Sequence, residues 1–460
     1  MSRVLLAHSN HVFSDSKQTA KMQPYPALLT ILAGACLRER GIETRLFDPA
    51  LEEAPWSAFE RSLAAFRPEM LAVCEDDFNF LSKMCLAHNR AFAFQMGAAA
   101  RSSGIVAAAH GADAADHAEE YLRAGFDVVI TGEVEEALLE IAAGNDFAGI
   151  AGIAYGNRGL VTRTAPRKPR RNLDELPLPA WDLVDIDRYR GAWNSAHGYF
   201  ALNLAASRGC PFRCNWCAKP VYGDSFQTRS AASVAAEMLY LKRCFRPDRI
   251  WFADDIFALS GRWTLEFAEE VEARDARIPF RMQSRCDLMT RATVEALRRA
   301  GCQEVWMGAE SGSQAVLDAM DKGIQVRHVY EARENLRRNG IRACFFLQFG
   351  YPGETWEDIE KTVRMVRETG PDDIGISVSY PLPGTRFHER VGAQIGAKAN
   401  WADSADLAMI FRGTYSTEFY RVLADALHAE VRGGDAGAAW RRVREIRAGE
   451  PRAPLLAGVA

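Results

Sequence analysis

Three cysteines stand close together in the segment Arg208-Gly-Cys-Pro-Phe-Arg-Cys-Asn-Trp-Cys217, as Cys210, Cys214 and Cys217, with the spacing C-x3-C-x2-C. Thiolates grouped in one loop suit zinc or an iron–sulfur cluster. A structural zinc site normally takes a fourth ligand. No histidine or cysteine lies close after Cys217, and the next cysteine is Cys244. A four-iron cubane on three thiolates leaves one iron without a protein ligand, open to bind a substrate or cofactor and pass it an electron.

Further residues able to do chemistry follow at the ends of apolar runs. Trp251-Phe-Ala-Asp-Asp-Ile-Phe257 carries Asp254 and Asp255, which also suit a helix N-cap or a salt-bridge pair. Gln283-Ser-Arg285 ends on an arginine, a residue that binds carboxylates bidentately. Met307-Gly-Ala-Glu-Ser-Gly312 contains Glu310, which reads equally as a buried structural carboxylate. Gln348-Phe-Gly-Tyr-Pro-Gly-Glu354 opens on Gln348, and its glycines let a backbone approach a ligand. Tyr380-Pro-Leu-Pro-Gly384 closes the set. The remaining cysteines, at 36, 74, 85, 244, 286, 302 and 344, read as small hydrophobes.

The elements that must position these residues form a βα series from about residue 200. Strands are expected at 202–206, 250–253, 280–283, 304–307, 344–349 and 374–378, and helices at 231–244, 262–274, 293–300, 327–339 and 356–369. Six such units suit a parallel barrel or part of one, with its active site at the C-terminal mouth of the strands. Upstream, residues 1–145 alternate strands at 3–8, 43–47, 71–74, 105–109 and 127–130 with helices such as 27–40, the rhythm of a doubly wound parallel sheet. Ligands bind such sheets beyond the carboxyl ends of the strands. The candidate loops are therefore 8–25, 75–80, 110–116 and 131–136. The prolines of Leu176-Pro-Leu-Pro-Ala-Trp-Asp182 mark a linker. Residues 400–460 read as helical, with a fraying Gly/Pro-containing end.

The C-x3-C-x2-C spacing, the aromatic Trp216 before the last cysteine and the preceding strand together resemble the signature of the radical S-adenosylmethionine (SAM) superfamily. That resemblance implies a [4Fe-4S] cluster on Cys210, Cys214 and Cys217 whose open iron chelates SAM. Electron transfer then cleaves SAM to a 5′-deoxyadenosyl radical. It further implies Trp216 beside the adenine, where it can also serve as a packing residue. Asp254 and Asp255 would lie near the methionyl amine, Arg285 on the SAM carboxylate, Glu310 on the ribose hydroxyls, and the Gln348 loop along the adenosine.

The order of domains resembles the cobalamin-binding branch of that superfamily over roughly residues 1–390. The residues that carry the likeness are Gln23-Pro-Tyr-Pro-Ala27, Leu37-Arg-Glu-Arg-Gly41, Gly132-Glu-Val-Glu-Glu136 and Leu176–Asp182. The implied architecture is α/β. A Rossmann-like cobalamin-binding-type domain spans 1–150 and a linker 151–195. A partial (β/α)6 TIM-like radical SAM barrel spans 196–395, and a short helical C-terminal region 396–460. The D-x-H-x-x-G motif of other cobalamin proteins is absent, since Asp116 and His117 are adjacent, as is usual in this branch. Two departures stand out: the loop His110-Gly-Ala-Asp-Ala-Ala-Asp-His117 lacks the Gly-rich, His-Pro-containing form common among relatives, and Glu75-Asp76-Asp77 puts three acids where many relatives carry small hydroxyl residues. His8, His110 and His117 read as loop or cap histidines.

The function so implied is cobalamin-dependent methylation of an unactivated carbon in a small molecule. The alternatives are oxidative cyclisation or rearrangement with the same cofactors, or a non-catalytic iron–sulfur or corrinoid-binding role. An electron donor such as flavodoxin or ferredoxin is the expected partner. A net charge of −4 gives no reason to expect nucleic acid. Apolar residues make up 48% of the chain, yet no run reaches the roughly 18 residues of a membrane span. Ten cysteines in 460 residues, with no secretory signal, point to a reducing cytosol.

Overall fold

A computed structural model describes residues 1–157, 160–219 and 221–450. The chain divides into two compact units. The first comprises Met1–Pro211, Lys219–Asp254 and Asn400–Asp406; the second comprises Phe212–Ala218, Asp255–Ala399 and the residues from Leu407.

The short apolar runs of the first unit form the strands β1 (Arg3–Ala7), β2 (Glu43–Phe47), β3 (Met70–Cys74), β4 (Val106–His110) and β5 (Val128–Ile130). They pair in parallel in the order β2-β1-β3-β4-β5. Successive residues point to opposite faces. Leu5, Ala7, Leu71 and Val73 therefore enter one core with Phe59 and Met96, while Val4, Leu6, Met70 and Ala72 enter a second with Leu29 and Leu138. Burial on both faces is why β1, β3, β4 and β5 read as apolar runs, as parallel strands do, whereas the edge strand β2, Glu43-Thr-Arg-Leu-Phe47, leaves Glu43 and Arg45 exposed. An antiparallel pair not foreseen in the sequence, β6 (Ile153–Asn157) and β7 (Leu160–Arg163), extends the sheet past β5.

The helix Leu28–Glu39 begins on Ala27, which has no capping side chain. Its first amides are satisfied from a distance. The Asp76 carboxylate accepts from the N–H groups of Leu28 and Leu29, each at 3.1 Å. A carboxylate there also complements the positive end of the helix. One of the three unusual acids thus has a structural task.

Still in the first unit, β8 (Ala201–Leu204) pairs in parallel with the later strand Arg249–Phe252, and β9 (Ser207–Gly209) pairs antiparallel with β10 (Phe226–Thr228). Numbering the strand Arg249–Phe252 as β11, the second unit holds β12 (Phe280–Ser284), β13 (Cys302–Glu310), β14 (Arg342–Phe349) and β15 (Asp373–Val378). These four are parallel and adjacent in sequence order. Helices follow the expected positions, with Ala231–Cys244 and Trp356–Thr369 matching to the residue. Each strand expected of the barrel is present.

The C-terminal region is helical only in part. Helices cover Thr417–Val431 and Gly437–Gly449, whereas the chain from Ile395 to Ser416 is irregular. Local side chains capture the backbone there. The N–H of Ala405 donates to Asp403 at 2.8 Å and that of Ala402 to Asp406 at 3.0 Å, an alternative to helical bonding open to short acids. The expected fraying end, 451–460, lies outside the described residues. No helix among the described residues is long and apolar enough to cross a membrane.

Candidate active site

Cys210 follows β9 directly. Gly209 has φ +75°, and a Cβ there would lie 2.3 Å from the carbonyl oxygen of Ser225, so the turn into the cysteine segment requires glycine. Before it, Arg208 is buried and forms ion pairs with Glu135 and, at 3.4 Å, Glu133. The Gly-Glu-x-Glu motif after β5 is thereby given a physical role: it holds the arginine that precedes the first cysteine. The Lys219 ammonium donates to the carbonyl oxygen of Cys210 at 3.1 Å and pairs with Asp224.

Asp254 lies wholly inside the first unit. Its carboxylate accepts from the Ser207 hydroxyl at 2.5 Å and from the Ala206 N–H at 3.1 Å. Burial outweighs these bonds and pushes its pKa up to about 7. Asp254 thus fixes the entry to β9, a structural task different from the helix N-cap or salt bridge that the sequence suggested. Asp255 begins the next stretch of the second unit and is half-buried.

In the second unit, the cysteine segment from Phe212 to Ala218 meets the ends of β12 and β13. Arg285 is buried, with its guanidinium 3.7 Å from the Phe212 ring centroid. It pairs with Asp287 at 3.0 and 3.1 Å and donates to the carbonyl oxygen of Lys322 at 2.8 Å. The buried Lys322 ammonium in turn donates to Glu310 at 2.7 Å and lies 6.0 Å from the Trp216 ring centroid. Burial opposes the charge on Lys322, but Glu310 first and Cys214 next hold its pKa above the ordinary lysine value. Glu310 sits at φ +56°, beside a register shift in β13, a conformation costly for a residue with a side chain. Gly308 makes room for the pair, since a Cβ there would stand 2.5 Å from both Glu310 Oε1 and Lys322 Nζ.

Trp216 is half-buried against Met320, Tyr351 and Phe387, and its buried indole N–H has no hydrogen-bond partner. Gln348 is buried and donates to the Ser379 hydroxyl at 3.0 Å. Phe212, Trp216, Arg285 and Glu310 are thus joined through one network, while Gln348 belongs to a separate contact between β14 and the segment after β15. Lys322 was missed in the sequence. Its only signal there was a lysine after a helical stretch, with nothing to name its partner twelve residues upstream.

Cys210, Cys214 and Cys217 form no disulfide and are half-exposed. Apart from the exposed Cys244, the other cysteines are buried, and burial pushes the thiols of Cys36 and Cys286 up to about 12 and raises those of Cys74, Cys302 and Cys344. Only these three thiols therefore combine access with proximity along the chain, although among the described residues no three His, Cys, Asp or Glu side chains are gathered closely enough to hold a metal ion.

The strand ends of the first unit hold a second polar region. His8 pairs with Asp48 at 3.1 Å, and His110 Nε2 lies 3.2 Å from the carbonyl oxygen of Gly132 and 3.4 Å from Asp77. Glu75 accepts from the Ser9 N–H at 2.9 Å. Buried His8 Nδ1, Glu75 Oε2 and His110 Nδ1 nevertheless have no hydrogen-bond partner. Buried polar atoms are nearly always satisfied, and these three occupy the loops where doubly wound sheets bind ligands.

Residues 204–366 match the radical SAM superfamily, so the chain carries a radical SAM domain. Among curated proteins it is similar to an uncharacterized methyltransferase of Pyrococcus horikoshii, 29% identical over 268 residues, 57% of each chain. It is also similar to the anaerobic magnesium-protoporphyrin IX monomethyl ester cyclase of Rubrivivax gelatinosus, 25% identical over 58% of this chain and 50% of that one. The chain spans about half the length of the curated relatives it matches. Among solved structures, the radical SAM methyltransferase TsrM from Kitasatospora setae with cobalamin and a [4Fe-4S] cluster bound aligns with a TM-score of 0.70 at 19% identity, over 85% of this chain and 75% of that one. The cobalamin-dependent SAM radical enzyme OxsB aligns with a TM-score of 0.66 at 17% identity, over 85% and 55%. The fold is therefore the α/β architecture of those two proteins.

Proposed function

We propose that this chain is a radical SAM enzyme that holds a [4Fe-4S] cluster on Cys210, Cys214 and Cys217, cleaves SAM reductively, and methylates an unactivated carbon of a small molecule with the help of cobalamin. The observation that carries the reading is the set of three half-exposed thiols, in no disulfide, on a segment whose aromatic residues lie against the buried cations Arg285 and Lys322. In this reading the barrel domain, 196–395, serves the cluster and SAM, and the domain 1–150 serves the corrinoid. The linker 151–195 and the helical region 396–460 complete the chain.

The chemistry supplied at such a site is one-electron reduction of the SAM sulfonium and, from a corrinoid, a transferable methyl group. The protein's own residues bind and orient. Arg285 is held by Asp287 and backbone carbonyls and Lys322 by Glu310, so the two buried cations shape the site, and Arg285 would meet the SAM carboxylate. Glu310 would accept from the ribose hydroxyls, with Trp216 beside the adenine. Asp255 and Gln348 would complete the lining, and Asp254 would support it through β9. At the first unit's strand ends, the unsatisfied atoms of His8, Glu75 and His110 fit a ligand edged with amide groups, as a corrin ring is. Flavodoxin or ferredoxin in the cytoplasm would supply electrons.

The resemblance to proteins named cyclases supports a second reading, radical cyclisation with the same cofactors. Product mass separates the two, since methylation adds one methylene unit to the substrate. The reading as a whole is tested by anaerobic reconstitution with iron, sulfide and a corrinoid, followed by assay for 5′-deoxyadenosine with SAM and dithionite as reductant. Product is expected from the wild-type chain and not from Cys210→Ala, Cys214→Ala or Cys217→Ala.

A further inference from the structure

One residue of the cysteine segment is buried where its neighbours are at least partly exposed. Asn215, between Cys214 and Trp216, is 3% exposed. Its N–H donates to the carbonyl oxygen of Met320 at 3.0 Å, and its carbonyl oxygen accepts from the N–H of Phe387 at 3.0 Å. Its carboxamide donates to the carbonyl oxygen of Ala319 at 2.7 Å and to Asp321 at 3.0 Å. The remaining acceptor, Oδ1, takes the hydroxyl of Tyr351 at 2.8 Å.

Tyr351 comes from the loop after β14 and is 1% exposed. Its hydroxyl also lies 2.9 Å from the carbonyl oxygen of Ala319 and accepts from Arg390 at 3.2 Å. Its ring stacks on Phe387 with centroids 5.3 Å apart. Every hydrogen-bonding group of Asn215 is thus used, on the end of the helix Gln314–Ala319, on the β14 loop and on the helix Arg386–Val391. A fully satisfied buried polar network fixes one geometry. The geometry fixed here is the backbone between two of the three thiols.

We infer that Asn215 and Tyr351 are positioning residues of the cysteine segment, which hold Cys214, Trp216 and Cys217 in the arrangement that makes SAM cleavage productive. The inference rests on the cluster and SAM reading above. It assigns the Gly-Tyr-Pro-Gly motif after β14 a task besides admitting a ligand: its tyrosine reaches back to the cysteines.

The test uses the full chain, reconstituted anaerobically with iron and sulfide, with dithionite as reductant. Wild type, Tyr351→Phe and Asn215→Ala are compared, with Tyr330→Phe as a surface control. The readouts are iron content, circular dichroism, the change in the reduced cluster's electron paramagnetic resonance signal on adding SAM, and the rate of 5′-deoxyadenosine formation with its KM for SAM. Tyr351→Phe removes one oxygen and keeps the ring stack. It is expected to keep wild-type iron and fold, to alter the SAM-dependent signal, and to lower the rate about tenfold or more with KM little changed, as misplacement of reacting groups does. Asn215→Ala is expected to act in the same direction and more strongly. Wild-type signal and rate in Tyr351→Phe would overturn the inference, as would loss of fold or iron in that variant, which would make the pair structural only. A wild-type chain that takes up no iron, or shows no response to SAM, would instead overturn the functional reading beneath it.

Discussion

Lys322 and Glu310 show what a single residue could and could not disclose. Glu310 was visible in the sequence as an acid at a strand end. Its partner was not, because the pairing depends on a backbone path that returns a lysine to the end of β13. Both side chains are buried, at 8% and 6% exposed, so removing one leaves the other as an uncompensated charge. Lys322→Met is expected to destabilise the chain by about 3–5 kcal/mol. Adding Glu310→Gln should recover part of that loss. Urea denaturation of the single and double variants measures both terms, and a double variant no more stable than Lys322→Met would refute the pairing as the cause. Arg208 is a parallel case: its ion pairs with Glu133 and Glu135 join two motifs that lie far apart in the sequence.

Among the elements, the turn after β14 carries a pH dependence. Glu354 is buried, accepts from the Gly350 N–H at 2.6 Å through one oxygen, and leaves the other without a partner. Burial, more than the nearby Asp358, pushes its pKa up to about 8. A carboxyl raised in the folded state binds its proton more tightly there than in the unfolded chain, so its contribution to stability is full at low pH and is lost as pH rises through the folded value. Glu354→Gln cannot lose a proton. Its stability relative to wild type is therefore expected to rise between about pH 5 and about pH 8, and denaturation midpoints that stay parallel would contradict this. A second element, Asn400–Asp406, runs against first-unit residues. The carbonyl oxygen of Trp401 accepts from the Ala87 N–H at 3.0 Å, and the Ser404 N–H donates to Asp15 at 2.8 Å. Trp401 is 1% exposed, so Trp401→Ala is expected to cost about 3–5 kcal/mol in chemical denaturation, against near neutrality were the segment a loose connector. Periodicity could not reveal this segment, because its acids bond to their own backbone and its packing surface lies in distant sequence.

For the whole molecule, the legible part was what repeats. Runs of strand length, separated by helical spacing, placed β2 and two helices to the residue and the other parallel strands to within three residues. The antiparallel pairs β6–β7 and β9–β10 escaped, being short and without a distinctive period. The candidate site was legible where spacing alone carries chemistry, in Cys210, Cys214 and Cys217, and illegible where it depends on long-range pairing, in Asn215, Lys322 and Tyr351. The central claim is that those three thiols hold a cluster that cleaves SAM. Its most direct test is 5′-deoxyadenosine formation by the anaerobically reconstituted chain under dithionite, with iron counted on the same sample. The account predicts about four irons per chain and SAM-dependent product that vanishes in Cys214→Ala. Undiminished 5′-deoxyadenosine from Cys214→Ala, or none from an iron-loaded wild-type chain, would contradict it.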